Sequence, residues 1–331
     1  MLRRLALLAL LSTAPLPAAD PWLHFDGTEG PGKGKHVVFL TGDEEYRSEE
    51  TAPMLAKLLS SRHGFNTTVL FSINKESGDI DPNTPDNIPG IAAASSADYL
   101  VLLLRFRELP DDAMQHVVNH FKAGKPALAI RTSTHAFAYT TNRESKFAKW
   151  DWQSATWPGG FGQQIVGDTW VRHHGDHGSE STRGIINPDF ASHPLLKGVS
   201  SIWGPTDVYG IDKLPPTTQI LVRGEVVAGM KADDPPTKGP KNDPLQPLIW
   251  LRDYQYEDGK PGRIIGSTIG AAVDFENAGL RRFFVNSAYW ATGLESQITD
   301  SLNADPVGEF KPSPFGFNKF RKGTKVDDLR K

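Results

Sequence analysis

The chain has 331 residues, of which 38% are hydrophobic and 23% charged, with a formal net charge of −3. That length and balance suit one large or two ordinary globular domains with a real core. The absence of cysteine excludes a thiol nucleophile and thiolate metal sites. No basic stripe marks a nucleic-acid partner.

The N-terminus reads as a secretory signal peptide over residues 1–19. Met1–Arg4 is basic, Leu5–Leu11 is apolar, and Pro15–Ala19 is small and turn-prone, with cleavage expected near Ala18 or Ala19. Losing Arg3 and Arg4 takes the formal charge from −3 to −5. The apolar run is too short for an anchor, and no later run reaches ~18 apolar residues. The expectation is a periplasmic or secreted protein with no membrane insertion after signal removal. Without disulfides, such a chain must rely on its hydrophobic core.

Residues 20–35, rich in Gly and Pro, read as a linker. His36–Thr41 is an apolar strand. Ser48–Ser61 has helical spacing of Met54, Leu55, Leu58 and Leu59, with Ser48 as N-cap and Gly64 beyond the end. Thr67–Phe71 is a second strand, and Asp79–Gly90 is a loop. Tyr99–Leu104, YLVLLL, is a continuous apolar strand of the kind buried on both faces of a parallel sheet. Asp111–Lys122 is a helix after Pro110, and Ala127–Arg131 is a further buried strand. This alternation predicts an α/β fold with a doubly wound, mostly parallel sheet. Beyond it, Ile165–His174 reads as a strand leading into a His cluster. Gln219–Val222, Pro247–Leu251 and Arg263–Ile269 read as strands, Val227–Gln246 as a loop, and Gly279–Ala291 as a helix. The tail carries Phe310, Phe315, Phe317 and Phe320, so it is expected to lie on the domain.

Polar residues gather where the strands end, and in open α/β sheets ligands bind at that edge. Arg131, Thr132, Ser133, Thr134 and His135 follow the strand Ala127–Arg131. GDEEYR, with Asp43, Glu44, Glu45, Tyr46 and Arg47, follows the first strand and offers a carboxylate for acid/base work, or simply an acidic helix start. Arg105 in RFRE ends a buried strand and needs an anionic partner, either the Asp43–Glu45 loop or a ligand. His173, His174, Asp176 and His177 form a loop cluster suited to acid/base chemistry or to zinc, although the spacing is not that of a His-Glu-x-x-His helix. GPTDVYG offers Asp207 and Tyr209 to hydroxyl groups with Trp203 as a ring face, or forms a turn.

In order and spacing, four stretches resemble the trehalose-utilisation, or ThuA-like, family from about His36 to Gly293. They are HVVFLTGDEEYR, the segment DYLVLLLRFRELPDDAMQHVVNHFKAGKPALAIRTSTHAF, FGQQIVGDTWVRHHGDHG followed by HPLLKGV, and GRIIGSTIGAAVDFENAGLRRFFVNSAYWATGLE. The resemblance implies a flavodoxin-like sheet of the class I glutamine amidotransferase type. It implies a single domain over residues 36–293, and residues 294–331 are left as the tail whose aromatics place it on that domain. It also implies sugar catabolism, with sugars, keto-sugars or glycosides as ligands. Two departures matter. The amidotransferase relatives carry Gly-x-Cys-x-Gly where this chain places Arg131 without flanking Gly, so an amidotransferase mechanism is not expected. Many family members show Leu-Gly-His where this chain reads Ile269, Gly270 and Ala271, which removes a His from any metal set.

The resulting expectation is an exported carbohydrate-active enzyme that needs no metal or other cofactor. Its acid/base groups are Glu45, His135, His173 and His177, and Arg105 and Arg131 stabilise developing negative charge. Asp43, Tyr46, Thr132, Thr134, Asp207 and Tyr209 hold the sugar. The alternatives are a non-catalytic sugar-binding module and a zinc-dependent hydrolase built on His173, His177 and a carboxylate.

Overall fold

The computed structural model describes residues 20–330; the expected signal peptide lies outside them. In chain order the elements are β1 (Trp22–Phe25), β2 (His36–Gly42), α1 (Ser48–His63), β3 (Asn66–Leu70), α2 (Ala93–Ser96), β4 (Tyr99–Leu104), α3 (Asp111–Lys122), β5 (Ala127–Ile130), β6 (Ser181–Ile186), β7 (Ile202–Gly204), β8 (Gln219–Val227), β9 (Gln246–Tyr254), β10 (Gly262–Ser267) and α4 (Ala278–Ala291).

All ten strands of the described residues join one mixed sheet in the order β1-β3-β2-β4-β5-β10-β9-β8-β6-β7. The five from β3 to β10 are mutually parallel. Their apolar runs are buried on both faces because alternate residues feed two separate cores. Phe39, Val69 and Val101 pack with α1 and α4 on one face. Leu40, Leu70 and Leu102 pack with Met114, Val117 and Phe121 of α3 on the other. The parallel block places the carboxyl ends of β2, β4 and β5 along one edge. Among the described residues no helix is long and apolar enough to cross a membrane.

Three expectations need correction. Residues 20–35 are not a plain linker: β1 pairs antiparallel with β3, with Trp22 opposite Leu70. Only Leu23 of that strand is fully buried, and four residues are too few to show a period. Ile165–His174 is not a strand. Gly162–Val166 forms one π-helical turn, ended at Gly167 with φ 122°. Gly162 packs so closely on the Thr134 carbonyl that a Cβ would lie 1.9 Å from it, and only a single bridge joins His173 to Tyr209. The sheet is also less parallel than expected, since β9, β8, β6 and β7 extend it antiparallel beyond β10. In the tail, Phe310 packs against one core and Phe315 against the other.

Candidate functional site

β5 ends in a sharp elbow. Arg131 has φ 46°, in the left-handed region that a bulky residue rarely adopts, and Arg131–His135 then turns as a 3₁₀ helix. A strained strand-to-helix turn is how α/β-hydrolases expose a nucleophile. Here the same turn presents a guanidinium. Arg131 is 1% exposed. Its Nη1 donates to Thr206 Oγ1 at 2.8 Å, to the Asp207 carbonyl at 3.1 Å and to the Thr268 carbonyl at 2.5 Å. Its guanidinium is sandwiched between the rings of Tyr46 (4.0 Å) and Tyr209 (4.5 Å), and Nη2 lies 3.6 Å from Asp207 Oδ1.

Asp207 is the hub. It is 0% exposed, its Oδ2 lies 2.6 Å from His173 Nδ1, and its Oδ1 lies 2.9 Å from His177 Nδ1. Burial pushes its pKa up, but the two imidazole hydrogen bonds and Arg131 outweigh burial and hold the carboxyl well below the usual range. An ionised carboxylate only accepts, so each Nδ1 carries a proton and donates. In its neutral form each ring keeps its lone pair on Nε2. Two imidazoles are thus aimed by one buried acid, with ring centroids 4.9 Å apart. The sequence spacing His-His-Gly-Asp-His does not reveal this, because Asp176 is exposed and the orienting acid comes from 30 residues beyond His177.

Glu45 faces this pair from the β2 loop. Its Oε1 is buried, makes no hydrogen bond, and lies 3.4 Å from His177 Nε2. Burial first, then the nearby Asp43, raises its carboxyl above the ordinary value. Tyr46 Oη and Arg131 Nη2 are also buried without a hydrogen-bond partner. Buried polar atoms are nearly always satisfied in native proteins, so an unpaired Glu45 oxygen with two further unpaired groups, on Tyr46 and Arg131, at the same sheet edge marks a place built for a polar ligand.

The other expected residues are placed as follows. Arg105 pairs with Glu44 Oε1 and lies 3.9 Å from Glu45 Oε2. Asp43 organises its own loop: its Oδ1 accepts from the backbone of Glu45 and Tyr46, and its Oδ2 accepts from Thr132 Oγ1. Thr134 donates to the Arg131 carbonyl, and Ser133 to the Leu102 carbonyl. These hydroxyls are fully buried and serve the elbow. His135 is buried among Phe106, Trp152, Trp170 and Tyr209. Burial, then Arg105, His173 and Arg131, holds its pKa well below the ordinary value, so it is a neutral ring in an aromatic wall. Tyr209 lies edge-on to His173 at 5.4 Å. Trp203 sits in β7 and donates to Ser181. His174 leans on the Lys241 carbonyl. The structure therefore brings together Glu45, Tyr46, Arg131, His173, His177, Asp207 and Tyr209. His173, His177 and Asp207 each offer one ligand atom within 4.8 Å of one another, a donor set that suits zinc.

The whole architecture is similar to that of a protein from Parabacteroides merdae provisionally named ThuA-like, with a TM-score of 0.51 over 90% of this chain and 99% of that one, at 13% identity. This chain has the ThuA-like fold. A second protein so named, from Bacteroides uniformis, aligns over 87% of this chain and 100% of its own at 12% identity, with a TM-score of 0.49. No protein-family model matches the sequence, and no curated protein matches it.

Several residues at this ThuA-like sheet edge escape sequence reasoning. Thr206 and Asp274 complete the support beneath Arg131, Thr206 Oγ1 donating to Asp274 Oδ2 at 2.7 Å. Phe106 packs on His135, while Trp170, Phe315 and Phe317 ring the imidazole pair. For the last two a signal exists: two Phe flank one Gly in a Pro-rich tail segment, PSPFGF.

Proposed function

We propose that this is an exported protein of carbohydrate catabolism that acts on a sugar or keto-sugar by acid/base chemistry at the β2–β4–β5 edge. The observation that carries the reading is the pair His173 and His177 on the single carboxylate of Asp207, with the orphaned Glu45 Oε1 opposite. In this reading a lone pair on imidazole Nε2 removes a proton from the carbon next to a sugar carbonyl. Glu45, in its protonated form, gives a proton to the carbonyl oxygen, and the product is an enediol. Arg131 keeps Asp207 ionised, and Asp207 keeps the rings aimed. The ThuA-like fold supports a trehalose-utilisation role. The strand order β3-β2-β4-β5-β10, with helices on both faces, supports descent from a doubly wound, flavodoxin-like sheet of the class I glutamine amidotransferase type. The elbow carries Arg131 where that type needs its nucleophile, so amidotransfer is not part of the reading. The basic and apolar N-terminal stretch supports export to the periplasm or medium. The partner is a small sugar, not nucleic acid.

A second reading, a zinc-dependent hydrolase, is favoured by the convergence of His173, His177 and Asp207. A thermal-shift screen of the mature protein against sugars, keto-sugars and divalent metals separates the two. A bound ligand raises the midpoint by mass action, equivalent to ~2.7 kcal/mol at a hundredfold excess over Kd. A shift with sugars alone supports the acid/base reading, and a shift with zinc alone supports the hydrolase. No shift with any sugar counts against carbohydrate as the ligand.

A further inference from the structure

Aromatic rings stand on both sides of the imidazole pair. On one side Trp170 lies edge-on to His173 at 5.7 Å, with Trp152 6.0 Å behind it. On the other side stands the C-terminal tail, where Phe315 stacks on Tyr46 at 5.9 Å and meets His177 edge-on at 5.1 Å. Phe317 lies 6.0 Å from His177. Arg105 spans the two sides, its guanidinium 4.9 Å from the Phe106 ring and 5.2 Å from the Phe317 ring.

This tail segment is tied to the loop that carries Glu45. Gly316 N donates to the Glu45 carbonyl at 2.9 Å, Arg47 Nη2 to the Pro314 carbonyl at 2.8 Å, and Ser313 N to Glu50 Oε2 at 2.7 Å. Glu44 is shared between the tail and the wall. One of its oxygens holds Arg105, and the other accepts from Asn318 N at 2.6 Å. With its backbone so fixed, Phe317 is nevertheless 52% exposed, the highest value for a large apolar side chain among the described residues. Folding buries such a ring where it can, for roughly 1.5–3 kcal/mol. One held in water by a clamped backbone, beside orphaned polar groups, is a contact surface for something else. Ligand sites combine aromatic walls with a few aimed polar groups, and the C–H face of a sugar ring is the part of it that an aromatic wall covers.

We propose that the segment from Ser313 to Asn318 is a wall of the ligand site. Phe317 lies against the C–H face of a sugar ring whose reacting end reaches Glu45 and His177. The inference rests on the sugar reading above. It adds that the site is incomplete without a tail that lies outside the family-like core.

The test is a tryptophan-fluorescence titration of the mature protein with D-glucose, D-fructose and trehalose, followed by the tightest of these with Phe317→Ala and Phe317→Tyr. Phe317 is exposed, so both variants are expected to melt within about 2 °C of the wild type. Phe317→Ala is expected to weaken binding by about three- to tenfold, the worth of one aromatic contact. Phe317→Tyr is expected to restore binding to within about twofold. Equal binding by wild type and Phe317→Ala overturns the wall and leaves the sugar reading standing. A loss that Phe317→Tyr does not restore also overturns it, because the ring face is then not what matters. If none of the three sugars binds the wild type, the sugar reading and the wall fall together.

Discussion

Replacing Asp207 with alanine tests whether one buried carboxylate holds the site together. Its side chain is 0% exposed, and it is the closest anion to Arg131, itself 1% exposed, at 3.6 Å. The substitution leaves the guanidinium with the three acceptors of its Nη1, the two tyrosine faces and the more distant carboxylate of Asp274, but with no ion pair. Breaking a buried pair by removing one partner costs ~3–5 kcal/mol. The 3.6 Å separation and the surviving hydrogen bonds place this case near 3. Unfolding entropy of about 2.1 cal/mol/K per residue gives a 331-residue chain about 0.7 kcal/mol per degree. The expected fall in Tm is therefore about 4–5 °C by calorimetry. Asp207→Asn keeps the shape and an oxygen acceptor for one imidazole, so it should melt higher than Asp207→Ala while still misaiming one ring. A Tm for Asp207→Ala within 1 °C of wild type refutes this, because Arg131 would then not depend on the Asp207 carboxylate.

Other expectations concern the fold and its pH dependence. A Cβ on Gly266 of β10 would lie 2.2 Å from the Trp250 ring, so Gly266→Ala is expected to cost ~1–3 kcal/mol through overpacking, and an unchanged urea midpoint contradicts this. Burial raises the Glu49 carboxyl to about 7, beside a cavity of about 270 Å³ that Glu50, Glu309 and Arg321 also line. This pKa lies above the unfolded-chain value. The stabilisation is therefore full below the ordinary carboxylate range and is lost as pH rises through about 7. Glu49→Gln should match wild type near pH 4 and exceed it at pH 8 by up to ~3 kcal/mol, and identical Tm–pH curves would show that Glu49 is not so perturbed. Thr132→Val removes the hydroxyl donated to Asp43. It should cost ~1.5–3 kcal/mol, as for a hydrogen bond to a charged group, and leave ligand affinity unchanged; a selective affinity loss would put Thr132 in the binding site instead.

The parallel half of the fold was legible because its strands are buried on both faces. YLVLLL needs no partner information to be read as β4, and the helix Asp111–Lys122 matches α3 residue for residue. The antiparallel half was less legible. β6 mixes Gly with polar residues, β7 is only three residues long, and β1 offers only one fully buried side chain. At the site, position after a strand was informative for Glu45, Arg105 and Arg131. It said nothing about direction. Whether Thr132 opens to solvent or turns to Asp43 depends on the elbow at Arg131, a backbone conformation that this residue type disfavours. That Asp207 aims both imidazoles is a contact across 30 and 34 residues, with no local pattern to announce it. Of the tail aromatics Phe310 and Phe315 pack on the two cores while Phe317 stays exposed, and the place of Phe315 and Phe317 beside His177 comes only from the path of the backbone hydrogen bonds to Glu44 and Glu45.

The central claim is that Glu45 and the Asp207-bound imidazoles move protons on a sugar. It is tested most directly by incubating the protein with keto-sugars in D₂O and following, by NMR, deuterium entering the carbon beside the carbonyl. Exchange is expected with wild type. A fall of about 10²-fold or more is expected with His177→Ala and with Glu45→Gln, at a Tm that shows both variants folded. Exchange at the uncatalysed rate with wild type, or undiminished exchange in both folded variants, would contradict it.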